Sequence, residues 1–393
     1  MMAEKNSPLR ATGLLVTINA CMFVFGMVLL LMGSLLPTLK LSGARAGSLG
    51  SFPLIGILIA TVVIGPVLDK VGAKIALAMS LFLIALALAI IPSLVSYPAL
   101  AAAALVYGLG GGVVNAATNT LVSVLSQSGR AAALNLLGFS FSLGALVVPL
   151  LMSLTREGFS PAIVLYALCA ATLLVLLFVL MQRFPVPSQA NTPLLQLLRV
   201  LKHPLVWLFA ALLFLESGNE NCMFVWAGKA TQDLLNTSAQ QAEIALLGLS
   251  AAIGVGRLTA AGILQWLGSR NVVLLSCAIT FAGSVVVITT HSLPGVIAGF
   301  AVIGFGLSAI FPTALGIAGD HFPHETGTVF GAVIAVALVG GISGPMIGSW
   351  AAASNPAMVM LVPMSSATGI AVLVWIVAKW KVKPEVSSIA AEQ

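Results

Sequence analysis

Residues 65–74 read Gly-Pro-Val-Leu-Asp-Lys-Val-Gly-Ala-Lys, a charged interruption between two long apolar runs. The glycines allow a tight turn and a close approach of neighbouring helices. The carboxylate of Asp69 can cap a helix N-terminus or pair with a basic group, and would then hold one arrangement of the helices closed. The alternative is an ordinary charged turn at a membrane edge. The candidate gating residues in this stretch are Gly65, Asp69, Lys70, Gly72 and Lys74.

The apolar runs beside this turn belong to a series that fills the chain. The 393 residues are 60% hydrophobic and 7% charged, whereas a soluble domain has about a quarter of its residues charged. Since a spanning helix takes about 20 apolar residues, we predict an all-α membrane protein. Its twelve predicted spans are residues 11–36, 46–68, 74–95, 98–125, 131–154, 160–182, 205–229, 242–264, 271–290, 294–318, 327–349 and 357–379.

Several classes of function are excluded by composition and motifs. The chain has no Walker A sequence for ATP and no nucleophile–base constellation, so we predict that it is not an enzyme and uses no cofactor. The net charge of +6 lies along loops, which argues against a nucleic-acid partner. The four cysteines fall in separate apolar runs and read as small buried hydrophobes. His321 and His324 share a loop with Asp320 and Glu325, where a solvated turn is favoured over a metal site.

The distribution of Lys and Arg among the loops sets the orientation. If the N-terminus is cytoplasmic, the cytoplasmic segments contain Lys5, Arg10, Lys70, Lys74, Arg130, Arg183, Arg199, Lys202, Arg270, Lys379, Lys381 and Lys383, and the opposite side only Lys40, Arg45, Arg156 and Lys229. This asymmetry predicts a multi-pass protein of a bacterial inner membrane with both termini in the cytoplasm.

An internal repeat divides the chain into two halves. A shift of 196 residues superimposes features of four spans in order, without gaps. We predict an N-terminal six-helix bundle at 1–182, a cytoplasmic linker at 183–203 and a C-terminal six-helix bundle at 204–393. The coinciding pairs are Pro8 with Pro204, Gly72 with Gly268, Lys74 with Arg270, Gly108 with Gly304, Gly110 with Gly306, Gly144 with Gly340, and Pro149 with Pro345.

The turn at 65–74 resembles the loop pattern G-x-x-x-D-[R/K]-x-G-x-[R/K] of the major facilitator superfamily. Further stretches, at 23–26, 110–119, 214–220 and 304–313, resemble the fucose:proton symporter family, especially its branch similar to sodium-dependent glucose transporters. This resemblance implies twelve transmembrane helices in two pseudo-symmetric six-helix bundles around a central cavity. It also implies a monomer that moves a small-molecule substrate by alternating access within membrane lipid.

The sequence departs from that family at the residues that carry its chemistry. Gly33 stands where the family has an Asp in the first span, and Asn115 stands where it has a Glu in the fourth. Gly138 and Phe141 replace the later Gln and Asn of the fifth-span pattern. Proton coupling and sugar binding as the family performs them therefore cannot be transferred unchanged.

Polar groups concentrate in the seventh predicted span. Glu216 and Glu220 are four residues apart, so they share one helix face near the middle of the membrane. A carboxylate at that depth is costly, and it must face water, find a partner or take a proton. Both are therefore candidates for proton or cation coupling, with Glu220 preferred because the family commonly has Glu there. The alternative is a fixed interhelical contact, such as a salt bridge with Arg257.

The other candidate groups are mostly asparagines. Asn115, Asn119 and Asn135 offer donors and acceptors suited to the hydroxyls of a neutral solute, although polar contacts between helices are an equally good explanation. The substrate-binding candidates are Asn115, Asn119, Asn135, Asn219, Glu220 and Trp226, with Asn19 and Gln265 weaker. Arg257 can bind an anionic group, but its place in the eighth span favours a gating role.

Together these observations predict a secondary transporter that moves a sugar or similar polar metabolite in symport with H⁺ or Na⁺. The main alternative is proton-coupled efflux of an amphipathic compound, since 18 Phe and 13 Met accompany few intramembrane polar groups. Drug-type antiporters carry a Gly-Pro motif in the fifth span, whereas Gly344-Pro345 lies in the eleventh. A lipid carrier, or a sensor without transport, is the third class.

Overall fold

A computed structural model describes residues 8–35, 43–153, 160–185, 202–323, 325–353 and 355–379. Those residues form α-helices joined by short turns, and they contain no β-strand. The N-terminal half consists of helices α1 (Pro8–Leu35), α2 (Gly43–Val71), α3 (Ala73–Ile90), α4 (Tyr97–Leu125), α5 (Arg130–Ser153) and α6 (Pro161–Met181).

The C-terminal half divides its helices differently. It consists of α7 (Pro204–Leu235), α8 (Ala239–Thr289), α9 (Leu293–Leu307), α10 (Ile310–His321), α11 (Thr326–Ala352) and α12 (Leu361–Lys379). Helix α8 is interrupted at Gly268, whose φ of 73° and ψ of 153° are not helical, so it contains two predicted spans. Helices α9 and α10 follow each other through residues 293–321, and together they make up a single predicted span.

The twelve predicted spans fall on helical segments of the described residues but do not correspond one to one with the helices, since span 294–318 covers both α9 and α10 and span 357–379 begins in a short 3₁₀ segment before α12. Nine helical stretches among those residues are long and apolar enough to cross a membrane. One of them, Ile244–Thr289, is 46 residues long and so has the length of two crossings. Helix α2 contributes a shorter apolar stretch, Ser51–Ile64. Helix α7 is not among the nine because its middle carries Glu216, Asn219 and Glu220.

The 196-residue repeat recurs in the contacts of the two halves. Gly72 and Gly268 both have positive φ, 79° and 73°: Gly72 lies between α2 and α3, and Gly268 lies at the kink between the two parts of α8. On α4, Gly108 lies against the backbone of Pro53, and its counterpart Gly304 lies against the backbone of Leu249. All three pairs are 196 residues apart. The glycines therefore serve the same turn and the same close helix approach twice.

Candidate functional site

Glu220 and Arg257 form an ion pair near the middle of the C-terminal half. Nη2 of Arg257 donates to Oε1 of Glu220 at 3.1 Å, and the two side chains are 7% and 14% exposed, respectively. Glu220 lies in the central turns of α7, and Arg257 lies in the part of α8 that precedes Gly268. Because both charges are largely removed from water, loss of either one would leave the other without compensation.

The guanidinium of Arg257 also reaches the N-terminal half. Its Nη1 donates to the carbonyl oxygen of Gly138 at 3.0 Å and to Oγ of Ser142 at 2.8 Å, both on α5. Its Nε donates to the carbonyl oxygen of Ser308, between α9 and α10, at 3.3 Å. The charged group lies 5.5 Å from the ring centroid of Phe141. Arg257 therefore links both halves of the molecule through one side chain.

Glu216 lies one turn from Glu220 along α7, toward the start of that helix. It is fully buried, and neither of its oxygens accepts a hydrogen bond from the described residues. Glu220, Arg257 and the thiol of Cys277 in the second part of α8 are within electrostatic range of it. The nearby amide of Asn219 is also fully buried without a partner in the described part of the chain. The structure thus encloses a carboxyl group inside the C-terminal half.

Asn115 and Asn119 are brought together on α4. They are 7% and 4% exposed, and Nδ2 of Asn119 donates to the carbonyl oxygen and Oδ1 of Asn115 at 2.8 and 2.9 Å. The donor group of Asn119 is therefore occupied within its own helix. In this conformation a substrate hydroxyl would have to replace those bonds.

Asn135 lies at a junction between the halves. Its Nδ2 donates to Oγ1 of Thr313 on α10 at 3.0 Å, and the side chain is fully buried. One turn earlier on α5, Nη1 of Arg130 bonds Oδ1 of Asp320 at 2.8 Å. Both contacts lie on the face of the membrane where α1 begins, called here the N-terminal side and predicted to be cytoplasmic. The halves are therefore in contact on the N-terminal side.

The remaining binding candidates have separate surroundings. Trp226 is half-buried, and its Nε1 donates to the carbonyl oxygen of Pro345 on α11 at 3.2 Å. Oδ1 of Asn19 on α1 accepts from Oγ of Ser140 on α5 at 2.8 Å. Gln265 is exposed on α8. These residues therefore fix helices or face outward, and they do not gather into one cluster with Glu220.

The gating stretch contributes a turn and an end cap. Gly72 supplies the positive φ between α2 and α3. Nζ of Lys74 donates to the carbonyl oxygens of Leu180 and Gln182 at 2.7 and 2.9 Å, where a positive charge suits the end of α6. Lys74 therefore joins two helices of the same half. Gly65, Asp69 and Lys70 lie in α2, and the side chains of Asp69 and Lys70 are outside what the structure describes.

This architecture matches a known family. The family model for the Major Facilitator Superfamily matches residues 14–345, and a second match covers residues 218–392. The chain belongs to the major facilitator superfamily. It is 26% identical over 302 residues to an uncharacterized MFS-type transporter of Yersinia pestis, which covers 76% of this chain and 75% of that protein.

Solved structures of superfamily members share the fold. The E. coli fucose:proton symporter FucP superposes with a TM-score of 0.81 at 19% identity, over 94% of this chain and 99% of that one. FucP in the outward conformation superposes with a TM-score of 0.79 at 20% sequence identity, over 92% of this chain and 98% of that one. The proton:xylose symporter XylE, bound to 6-bromo-6-deoxy-D-glucose, superposes with a TM-score of 0.78 at 15% sequence identity, over 94% of this chain and 96% of that one. The predicted membership, with its resemblance to the fucose:proton symporter, is confirmed.

Several residues of the site in this superfamily member carry no functional signal in the sequence. Ser142 and Ser308 bond Arg257, Thr313 bonds Asn135, and Arg130 bonds Asp320. Serine and threonine are common in membrane helices as internal hydrogen-bonding residues, so their presence alone carries no signal. The one signal available was charge, because Arg130 and Asp320 stand at the ends of spans on the same predicted side.

Proposed function

We propose that this major facilitator protein is a secondary active transporter that takes up a sugar or similar small polar metabolite in symport with a cation. The observation that carries the proposal is the bonding of Arg257, which holds Glu220 and the other half of the molecule at once. Transport by alternating access requires that such a contact between the halves be made and broken in each cycle.

Protonation of Glu220 gives the contact its dependence on a cation. With Glu220 ionised, the pair fixes the direction of the Arg257 guanidinium toward Gly138 and Ser142 on α5. A proton on Glu220 removes the charge attraction, so Arg257 loses one anchor and its bonds to α5 weaken. The proton would come from the side opposite to the closed N-terminal side, and separation of the halves would follow.

A polar solute suits the groups near this pair. Glu220 is partly exposed, and Asn221 on the next position of α7 is exposed, so both can present oxygen or nitrogen to a hydroxyl. The fold likeness to FucP and XylE supports a sugar as the first class of substrate to test.

The test is flux into proteoliposomes with labelled hexoses and deoxyhexoses, under an imposed H⁺ or Na⁺ gradient. We expect gradient-driven accumulation by the unmodified chain and its loss in Glu220→Gln, which keeps the size of the side chain but cannot ionise. Asp233→Asn is the matched control, because Asp233 is a carboxylate on the same helix that pairs with exposed Lys229, four residues earlier on the same helix. It should accumulate substrate normally.

Two results would contradict the proposal in different ways. If no sugar moves under either gradient, the sugar assignment fails, and amphipathic compounds become the next substrates to test, in the direction of export. If Glu220→Gln accumulates substrate as well as Asp233→Asn does, then coupling does not depend on Glu220.

A further inference from the structure

A cavity enters the C-terminal half from the N-terminal side and ends one turn below Glu216. Its volume is about 240 Å³, well above the roughly 10–15 Å³ that one water needs. It lies between α7, α10, α12 and the second part of α8. At its mouth are Arg270, which is exposed, and His321, while its inner wall is formed by the buried Leu212, Phe209, Val374 and Val377.

The floor of the cavity and the buried carboxyl group belong to the same helix face. Leu212 precedes Glu216 by four residues, so the two side chains are neighbours about 6 Å apart along α7. Leu212 is fully buried and so is Glu216. On its other side, Glu216 is followed one turn later by Glu220, the group that is partly open toward the junction of the halves.

We propose that Glu216 is a proton-binding site that exchanges its proton with the N-terminal side through this cavity, by a route inside the C-terminal half that is separate from the substrate path. The proton passes from the Glu220 carboxyl group to the Glu216 carboxylate, which becomes neutral. It then leaves Glu216 for water in the cavity when Leu212 moves aside, and Glu216 becomes a carboxylate again. The inference rests on the proposed coupling at Glu220, and it adds the route by which the proton leaves toward the N-terminal side.

The charged and titratable surroundings of Glu216 suit this role. Glu220 on its own helix, Arg257 in the first part of α8 and Cys277 in the second part are in electrostatic range. Helices α9 and α11 contain no titratable side chain, and α12 contains only Lys379 at its end. Helix α10 contributes Asp320, paired with Arg130, and His321. No fixed cation other than Arg257, already bonded to Glu220, therefore compensates Glu216 among the described residues.

His321 is placed to pass the proton on at the cavity mouth. Its Nδ1 lies 2.8 Å from the carbonyl oxygen of Ile317. In the tautomer in which Nδ1 carries the hydrogen, Nε2 is the acceptor. A proton can then be taken up by Nε2 from cavity water and released on the N-terminal side, with Nδ1 keeping its bond throughout.

Two measurements on the full-length chain in membranes test the inference without any substrate. The first is infrared spectroscopy of the carboxylic acid C=O band during a pH titration. We expect a band from a buried protonated carboxyl group that is lost in Glu216→Gln and kept in Asp233→Asn. The second is the reaction of Leu212→Cys with a small charged thiol reagent added on the N-terminal side, compared with Leu213→Cys and with the unmodified chain.

Leu213 is the matched control because it is equally buried at the same depth but does not line the cavity. We expect Leu212→Cys to react and Leu213→Cys to stay as unreactive as the unmodified chain. Equal reactivity of the two, or a carboxylic acid band that survives Glu216→Gln, would overturn the inference. The thiol measurement stands alone if Glu216→Gln does not fold. Failure of sugar flux would leave both results unchanged, and so would concern only the proposed function.

Discussion

At the scale of single residues, Arg257 carries the contact on which the proposed mechanism depends. Replacement by Met removes the charge but keeps an unbranched side chain, so Glu220 is left buried without its counter-ion. We expect Arg257→Met to lower the free energy of unfolding by about 3–5 kcal/mol. Adding Glu220→Gln removes the uncompensated charge and should restore most of that loss. Unfolding of the purified single and double variants in detergent measures both changes, and a double variant no more stable than the single would contradict the pairing.

The surroundings of Arg257 show which parts of the site the sequence could predict and which it could not. Spacing predicts Glu220 in the middle of its span, it lies in the central turns of α7, and its pairing with Arg257 is one of the alternatives that the sequence left open. Gly138 and Phe141, noted only as departures from the fucose symporter pattern, turn out to surround the guanidinium. A Cβ on Gly138 would lie 3.1 Å from Cδ of Arg257, and the Phe141 ring lies beside its charge. The contact between Gly138 and Arg257 joins residues 119 positions apart, so only the packing of the halves could reveal such contacts.

At the scale of helices, Gly268 is required at its turn by its backbone conformation rather than by a lack of room for a side chain. Gly268 has φ and ψ angles that residues with a side chain rarely adopt, yet a Cβ at this position would meet no atom within 4 Å. We expect Gly268→Ala to lower the free energy of unfolding by about 1–3 kcal/mol. Gly262 on the same helix is the matched control, since it is helical and also has open space. Gly262→Ala should be neutral or stabilising by up to about 1 kcal/mol.

Thermal unfolding of the two alanine variants in detergent compares them directly, and equal stability would show that the backbone at Gly268 is not strained.

The same helices show what hydropathy could and could not predict. The apolar runs located helical segments throughout the described residues, because a helix in contact with lipid needs an apolar run. They could not predict that the two parts of α8 are separated only by the kink at Gly268, or that α10 begins anew at Ile310 after Ser308 and Ala309. The first of these details follows from the backbone geometry at Gly268.

At the scale of the whole molecule, the two halves meet through α5 with α8 and α10, and through α11 with α2 and α4. The described contacts between the halves on the N-terminal side include Gly331 against Thr61, Gly316 against Ala131, and Asn135 bonded to Thr313. The repeat predicted two similar halves, but a repeat carries no information on which side they close. In this conformation they are in contact on the side predicted to be cytoplasmic.

The ion pair of Arg130 and Asp320 should bias the molecule toward this closed arrangement. Arg130 is 3% exposed and also donates from Nε to the carbonyl oxygen of Ser123 at 2.9 Å, whereas Asp320 is 54% exposed. Because water screens Asp320, we expect Asp320→Asn to weaken closure by only about 1 kcal/mol. A change of that size alters the ratio of closed to open molecules several-fold.

Spin labels at two exposed positions on the N-terminal side, Gln127 and Pro323, measure that ratio through the distance between the α4–α5 and α10–α11 turns. We expect a longer distance to gain population in Asp320→Asn. Asp233→Asn breaks an exposed pair within one helix, so it should leave the distribution unchanged. If Asp320→Asn also leaves it unchanged, closure rests on the buried contacts of α5 with α8 and α10, and the charge pair only orients Arg130. Since the proposed cycle requires the halves to separate on this side, the same variant should then show unaltered rates of transport.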